Sequence, residues 1–206
     1  SGNISFDLAE FGKEEVSFEG AEFGTGSLSM LRTTSGTINF KSCQLNNYVD
    51  LRVNRCDVID LSDTIIRDIV DLKKGKTELK LNQLIMVGVR NLGKIFLDWK
   101  ENDVKALIEN QESSYFDKAN QFRLLKEDFH SSGKYNDEDK AYVAFKRYEL
   151  KAYNEEKLAK GGANALWVYP SSFAKKLVFD WMGLYATNPM RVLFSMFVTY
   201  VIFSFV

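Results

Sequence analysis

The chain has 206 residues, 45% hydrophobic and 27% charged, which is enough apolar material for one or two folded domains and excludes a wholly disordered chain. Its formal net charge of -1 excludes both the basic surface of a nucleic-acid binder and the acidity of a DNA mimic. Cys43 and Cys56 form no CxxC pair and lie in no His-rich cluster, so neither a metal nor a cofactor is expected, and Ser1-Gly2-Asn3 opens without the features of a secretory signal.

Over the first third, apolar-x-apolar pairs recur at Ile4/Phe6, Val16/Phe18, Leu28/Met30, Ile38/Phe40, Val49/Leu51, Ile59/Leu61, Val70/Leu72 and Leu79/Leu81. Their spacing of about 9 to 12 residues, with Gly, Ser, Asn, Asp and Lys between, predicts short strands with one buried face. The Asn-Gly and Asp-Gly turns of a hairpin sandwich are absent, which favours a stacked solenoid. Small residues precede large ones after each strand: Phe18-x-x-Ala21-x-Phe23, Phe40-x-x-Cys43-x-Leu45 and Leu61-x-x-Thr64-x-Ile66.

At these positions the sequence resembles the pentapeptide-repeat proteins, and that resemblance implies a right-handed β-helix over residues 1–100. The string Leu92-Gly-Lys-Ile-Phe-Leu-Asp-Trp99 is expected to supply the last coil, with Trp99 covering its open end. Asp50, Asp60 and Asp71 recur between the members of their pairs, so they are expected to point outward as a solvated acidic ladder.

Beyond Trp99 the period becomes helical. Tyr115, Ala119, Phe122, Leu125 or Lys126, and Phe129 share one stripe; Ala141, Phe145, Tyr148 and Ala152 share another, predicting an αα-hairpin within residues 101–160. Gly133 is expected to end the first helix in the left-handed region, and Asn136 or Asp137 to cap the second. The unit Gly133-x-Tyr135 with Ala141-x-x-x-Phe145 is similar to part of a tetratricopeptide repeat, but it occurs once. Residues 160–164 (Lys-Gly-Gly-Ala-Asn) are expected to be a flexible connector.

Residues 161–188 are expected to hold that linker and an amphipathic interfacial helix whose apolar face is Phe173, Leu177, Val178, Trp181 and Leu184. Phe173, Lys175, Lys176, Leu177, Trp181 and Arg191 are the candidate membrane-interface residues. Asn188-Pro189 then forms a helix start. Residues 192–206 are apolar or small hydroxyl types, so residues 189–206 are expected to begin a transmembrane helix that continues past Val206. The preceding basic residues would keep residues 1–188 cytoplasmic at a bacterial inner membrane.

Gly133-Lys-Tyr-Asn-Asp-Glu-Asp-Lys-Ala-Tyr-Val-Ala-Phe-Lys-Arg147, followed by Phe179-Asp-Trp-Met-Gly183-x-Tyr185-x-x-Asn-Pro189-x-Arg-Val192, resembles the segment that joins pentapeptide-type repeats to a two-helix potassium-channel pore in bacterial membrane proteins. The resemblance implies a cytoplasmic regulatory or assembly domain, a homotetramer and contact with membrane lipid. No Thr-x-Gly-Tyr-Gly-like filter occurs in these residues. The alternative is a membrane-anchored scaffold that binds a protein partner on its solenoid or hairpin and transports nothing. No catalytic residues are expected: His130 is the single histidine, and no Ser-His or Cys-His arrangement, P-loop or dinucleotide fingerprint occurs.

Overall fold

A computed structural model describes residues 2–74, 80–161 and 163–204, with side chains described everywhere except 163–166. The chain divides into two units, residues 1–113 with 127–137 and residues 114–126 with 138–206.

The first unit is a parallel β-solenoid. One ladder runs through β1 (Ile4–Ser5), β3 (Leu28–Ser29), β6 (Val49–Asp50), β9 (Ile69–Asp71) and β12 (Lys94–Phe96). A second runs through β2 (Glu15–Ser17), β4 (Thr34–Asn39), β7 (Arg55–Asp60) and β10 (Lys80–Ile85), and a third through β5 (Gln44–Leu45), β8 (Ile65–Ile66) and β11 (Arg90–Asn91). The apolar pairs alternate between the first two ladders, so their recurrence measures half a coil. Leu28, Val49 and Val70 stack in register, as do Ile38, Ile59 and Leu84. The second pair members Met30, Phe40, Leu51, Leu61 and Leu72 are fully buried beside them, each worth roughly 1.5–3 kcal/mol of transfer free energy.

The small-residue set forms part of this stack too. Cys43 Sγ donates to the Phe18 carbonyl at 2.9 Å and Thr64 Oγ1 to the Phe40 carbonyl at 2.7 Å, so each small polar group is satisfied by the coil before it. In the last coil the expected Leu79/Leu81 pair is not the buried one. Leu79 lies outside the described residues, Leu81 pairs with Cys56, and the core positions belong to Leu84 and Met86. The longer stretch between β9 and β10 displaces the pair along the chain.

The expected outward acidic ladder is also replaced by turn chemistry. Ser5, Ser17, Asn39, Asp50, Asp60 and Asp71 each accept the backbone N–H two residues further on, which closes the corner after the strand. Asp50 and Asp71 are buried, and Arg52 lies against both, with Nε 2.9 Å from Asp50 Oδ1 and 3.7 Å from Asp71 Oδ2. Tyr48 donates to Asp71 at 3.1 Å; burial, and then the two carboxylates, push its hydroxyl up to about 12.

Two residues past the pair the backbone turns left-handed, at Leu8 (φ 62°), Gly20 (69°), Arg32 (58°), Ser42 (58°), Asp63 (57°) and Gly88 (71°). Leu8 is 69% exposed, so it bears backbone strain there with little burial in return. Leu8→Gly is expected to stabilise the solenoid by about 0.5–1 kcal/mol, measured by urea unfolding; unchanged or lower stability would contradict the strain.

At the far end of the solenoid Trp99 is half-buried, and other groups pack on the last coil. An unforeseen helix, α1 (Val104–Glu109), packs on β10 through buried Val104, Leu107 and Ile108, and Gln111 donates to the Leu84 carbonyl at 2.6 Å. Along β12 and its continuation, three alternate backbone groups find side chains from residues 127–137. Asp128 Oδ1 accepts the Ile95 N–H at 3.0 Å, Lys134 Nζ donates to the Leu97 carbonyl at 2.7 Å, and Asp137 Oδ2 accepts the Trp99 N–H at 3.3 Å. An acid, a base and an acid thus stand in for the carbonyl, N–H and carbonyl of a further strand, which resolves the unpaired edge.

In the second unit, residues 115–126 of α2 (Tyr115–Ser131) pack against residues 138–160 of α3 (Tyr135–Lys160). Phe122 is fully buried with its ring 5.5 Å from Tyr148, and Ala119, Leu125 and Ala141 are buried, following the predicted stripes. Gly133 ends α2 at φ 68° as expected, whereas α3 begins at Tyr135, so neither Asn136 nor Asp137 is its cap.

The expected connector at 160–164 is shorter. Gly161 turns at φ 62°, Gly162 lies outside the described residues, and α4 (Ala163–Lys175) begins at once and runs through Pro170. A π-helical turn, Lys176–Trp181, continues α4, and a 3-10 turn, Leu184–Ala186, precedes α5 (Pro189–Ser204). Asn188 Oδ1 caps α5 by accepting the Arg191 N–H at 3.0 Å. Among the described residues no helix is long and apolar enough to cross a membrane. The 16 residues of α5 span about 24 Å, against roughly 30 Å of hydrocarbon.

Candidate functional site

The two units differ in what they leave in water. In the solenoid, Ile4, Leu8 and Leu92 are the exposed large apolar side chains among the described residues before Tyr115. Between Trp167 and Phe203, sixteen are exposed, including Trp167, Phe173, Trp181, Phe194 and Phe203. Single exposed apolar residues are ordinary, but a run of this density marks a surface made for an apolar surrounding. No residue of α5 is buried.

Polar groups inside this surface are accounted for locally. In α5, Ser195 Oγ stands 2.7 Å from the Met182 carbonyl and 2.9 Å from the Arg191 carbonyl, Thr199 Oγ1 donates to Ser195 at 2.8 Å and Ser204 Oγ to Tyr200 at 2.8 Å. Each hydroxyl is bonded to a backbone carbonyl and asks nothing of water. The six sequence-predicted interface residues all lie at the surface: Phe173 is 68% exposed, Trp181 70% and Leu177 39%, while Lys175, Lys176 and Arg191 are exposed cations.

Their expected single helical face is interrupted. In the π turn the Met182 N–H bonds to the Leu177 carbonyl at 3.0 Å, which shifts the angular phase of every later side chain. Leu184 leaves the helix altogether: Leu184, Tyr185 and Ala186 have φ 46°, 55° and 66°, three consecutive left-handed residues that cost about 1–2 kcal/mol each.

Asp180 has its place because of that phase. It is buried and receives Arg147 from α3 in a forked pair, with Nη2 to Oδ1 at 2.7 Å and Nε to Oδ2 at 3.0 Å. This pair escaped the sequence reading; its signal was a lone acid in an otherwise apolar and basic stretch. Arg147→Ala would leave the Asp180 carboxylate without its forked partner and is expected to destabilise the second unit by about 2 kcal/mol, less than a fully buried pair because Arg147 is partly exposed. Urea unfolding read by hydrogen exchange in α4 measures it, and unaltered protection would show that the pair does not hold the π turn.

Between α3, the π turn and α5 lies a cleft of about 830 Å³. Leu150, Val178, Phe179, Met182, Val192 and Met196 supply its apolar wall, and Tyr142, Lys146, Glu149, Tyr153, Lys175 and Tyr185 its polar groups. Lys146 is paired with Glu149 at 2.8 Å, and the Lys175 ammonium stands 4.5 Å from the centre of the Tyr153 ring. Burial, followed by the nearby Asp180 charge, raises the Tyr185 hydroxyl above its ordinary value. Among the described residues no cluster of His, Cys, Asp or Glu has the arrangement of a metal site. Comparison with protein-family models, with curated proteins and with solved structures finds no match to this chain.

Proposed function

We propose that this chain is a membrane-held module in which α4, its π turn and α5 meet the lipid bilayer and the solenoid serves as a rigid cytoplasmic arm. The observation that carries the reading is α5, predominantly apolar, without a buried residue, and with its serine and threonine hydroxyls bonded to backbone carbonyls of α5 and of Met182 just before it. A helix of that kind is stable in hydrocarbon or in a protein core, and the described chain places no core around it. Lys175, Lys176 and Arg191, with Asp180 already paired, leave a basic flank that favours the cytoplasmic leaflet of a bacterial inner membrane.

The finer reading makes the module the regulatory or assembly domain of a potassium-channel-like protein, working as a homotetramer, with a right-handed, pentapeptide-type solenoid. It is supported by the order of elements, a solenoid, two long helices, a short interfacial segment and an apolar helix with an Asn-Pro start, which is the order the sequence resemblance implies. Shifts of the solenoid would reach the membrane segment through α3 and the Arg147–Asp180 pair. Conduction is not expected of these residues, which contain no filter.

Flotation of the purified chain with lipid vesicles tests the membrane reading. The chain is expected to float with zwitterionic vesicles and more strongly with anionic ones, and the triple variant Lys175→Gln, Lys176→Gln, Arg191→Gln to lose the anionic preference, about 1 kcal/mol per charge. A chain that stays at the bottom with both vesicles overturns it. Light scattering in detergent separates the finer readings: a tetramer supports the channel domain, and a monomer overturns it in favour of an anchored scaffold.

A further inference from the structure

We infer that the cleft between α3, the π turn and α5 binds one anionic phospholipid of the bilayer, with its acyl chain along the apolar wall and its phosphate at Lys175. The inference rests on the membrane-held reading and goes beyond it, because general adhesion to a bilayer requires no cleft and no fixed stoichiometry.

Volume and lining select the class of ligand. About 830 Å³ suits a drug- or lipid-sized occupant rather than an ion, and Val178, Phe179 and Met196 on its wall remain 51%, 56% and 63% exposed. A soluble anion would leave those surfaces wet, whereas an acyl chain covers them.

Charge selects the head. Of the ionised groups at the cleft, Lys146 and Glu149 neutralise one another, and Asp180 beside it is held by Arg147. Lys175 has no carboxylate partner among the described residues and rests over the Tyr153 ring, which steadies the ammonium without cancelling its charge. The site therefore carries one uncompensated positive charge, complementary to a phosphodiester and not to a net-neutral headgroup. Tyr185 lies in the left-handed turn at the same cleft, where its hydroxyl can donate to an oxyanion. Backbone strain of this kind persists where the surroundings hold a side chain in place.

Native mass spectrometry of the detergent-solubilised chain, titrated with phosphatidylglycerol or with phosphatidylcholine of the same acyl chains, tests the inference. The expected result is a saturable one-to-one adduct with phosphatidylglycerol and retention about tenfold weaker for phosphatidylcholine, consistent with loss of one charge-assisted contact. Lys175→Gln is expected to abolish the difference between the two lipids, and Val178→Trp, which fills the cleft, to weaken both adducts about tenfold. Equal retention of the two lipids, unsaturable addition, insensitivity to both variants, or soluble glycerol phosphate binding as tightly as the lipid would each overturn it. Flotation of the unaltered chain is run beside it: flotation without a selective adduct removes the lipid site and leaves the membrane reading, whereas loss of flotation removes both.

Discussion

Gly93→Ala is expected to destabilise the solenoid by about 3 kcal/mol, because an added Cβ would overlap the Asp68 carbonyl oxygen of the preceding coil. That oxygen is backbone, and it accepts the Lys94 N–H at 2.9 Å, so it cannot swing away without breaking the ladder between β9 and β12. Gly36 stands in the same relation to the Lys13 carbonyl, and Gly36→Ala is expected to act alike on β2 and β4. Gly20 provides the contrast. Nothing lies within 4 Å of its would-be Cβ, and only its φ of 69° resists substitution, so Gly20→Ala is expected to cost about 1 kcal/mol. Urea unfolding with hydrogen exchange at β9 and β12 measures the difference; equal effects at Gly93 and Gly20 would mean that close coil approach is not what glycine provides at Gly93.

The second large effect belongs to the capped end. Asp128→Ala removes the acceptor of both the Ile95 N–H and the Asn91 side-chain amide, and leaving these donors buried is expected to cost about 3 kcal/mol. Asp128→Asn keeps an acceptor and discards a buried charge. Burial is the main force raising the Asp128 carboxyl above its ordinary range, opposed by the Ile95 and Asn91 hydrogen bonds and then by the Lys134 and Lys94 charges. Its second oxygen, Oδ2, is buried with no hydrogen-bond partner, as are Asn91 Oδ1 and Ser132 Oγ.

A carboxyl whose folded pKa is raised binds its proton more readily when folded. Its contribution is therefore fully present below the unfolded value near 4 and is lost as pH rises through the folded pKa. Asp7 works in the opposite direction, lowered chiefly by the Ser29 hydroxyl, so the difference between wild type and variant isolates Asp128. In urea titrations across this pH range, Asp128→Asn is expected to gain on the wild type as pH rises. A difference independent of pH would contradict the buried, strained carboxylate.

The solenoid was legible because each apolar pair repeats its signal and errors average out. Spacing alone divides the chain into half-coils, and Met30, Phe40, Leu51, Leu61 and Leu72 occupy the core as the pattern predicts. Register was lost where the repeat lengthens, and Leu84/Met86 took the place of Leu79/Leu81. The aspartates between pair members were visible as a periodicity, but a period of two cannot distinguish a side chain facing solvent from one folded back onto the N–H two residues ahead. The cap was illegible for a different reason. Its three contacts join residues more than thirty positions apart, and acids and lysines on helices or between them read locally as solvated surface.

At the candidate site, composition marked Phe173, Lys175, Lys176, Leu177, Trp181 and Arg191 as surface groups, but a helical wheel with 3.6 residues per turn fails at the π turn and cannot foresee Asp180 turning to Arg147. Pro170 lies inside α4, which begins ten residues before the Phe173 of the expected interfacial helix. Helix propensity argues against proline inside a helix, yet α4 continues through it, and the apolar surface consequently begins at Trp167.

The membrane-held reading is tested most directly by the depth of α5. Phe197→Trp, combined with Trp99→Phe, Trp167→Phe and Trp181→Phe, places a single reporter at a position that is 64% exposed. With vesicles carrying bromine at defined depths, its emission is expected to shift to the blue and to be quenched more by bromines deep on the acyl chains than by those near the headgroups. Emission that stays at the wavelength of tryptophan in water and is unaffected by brominated lipid would contradict the account.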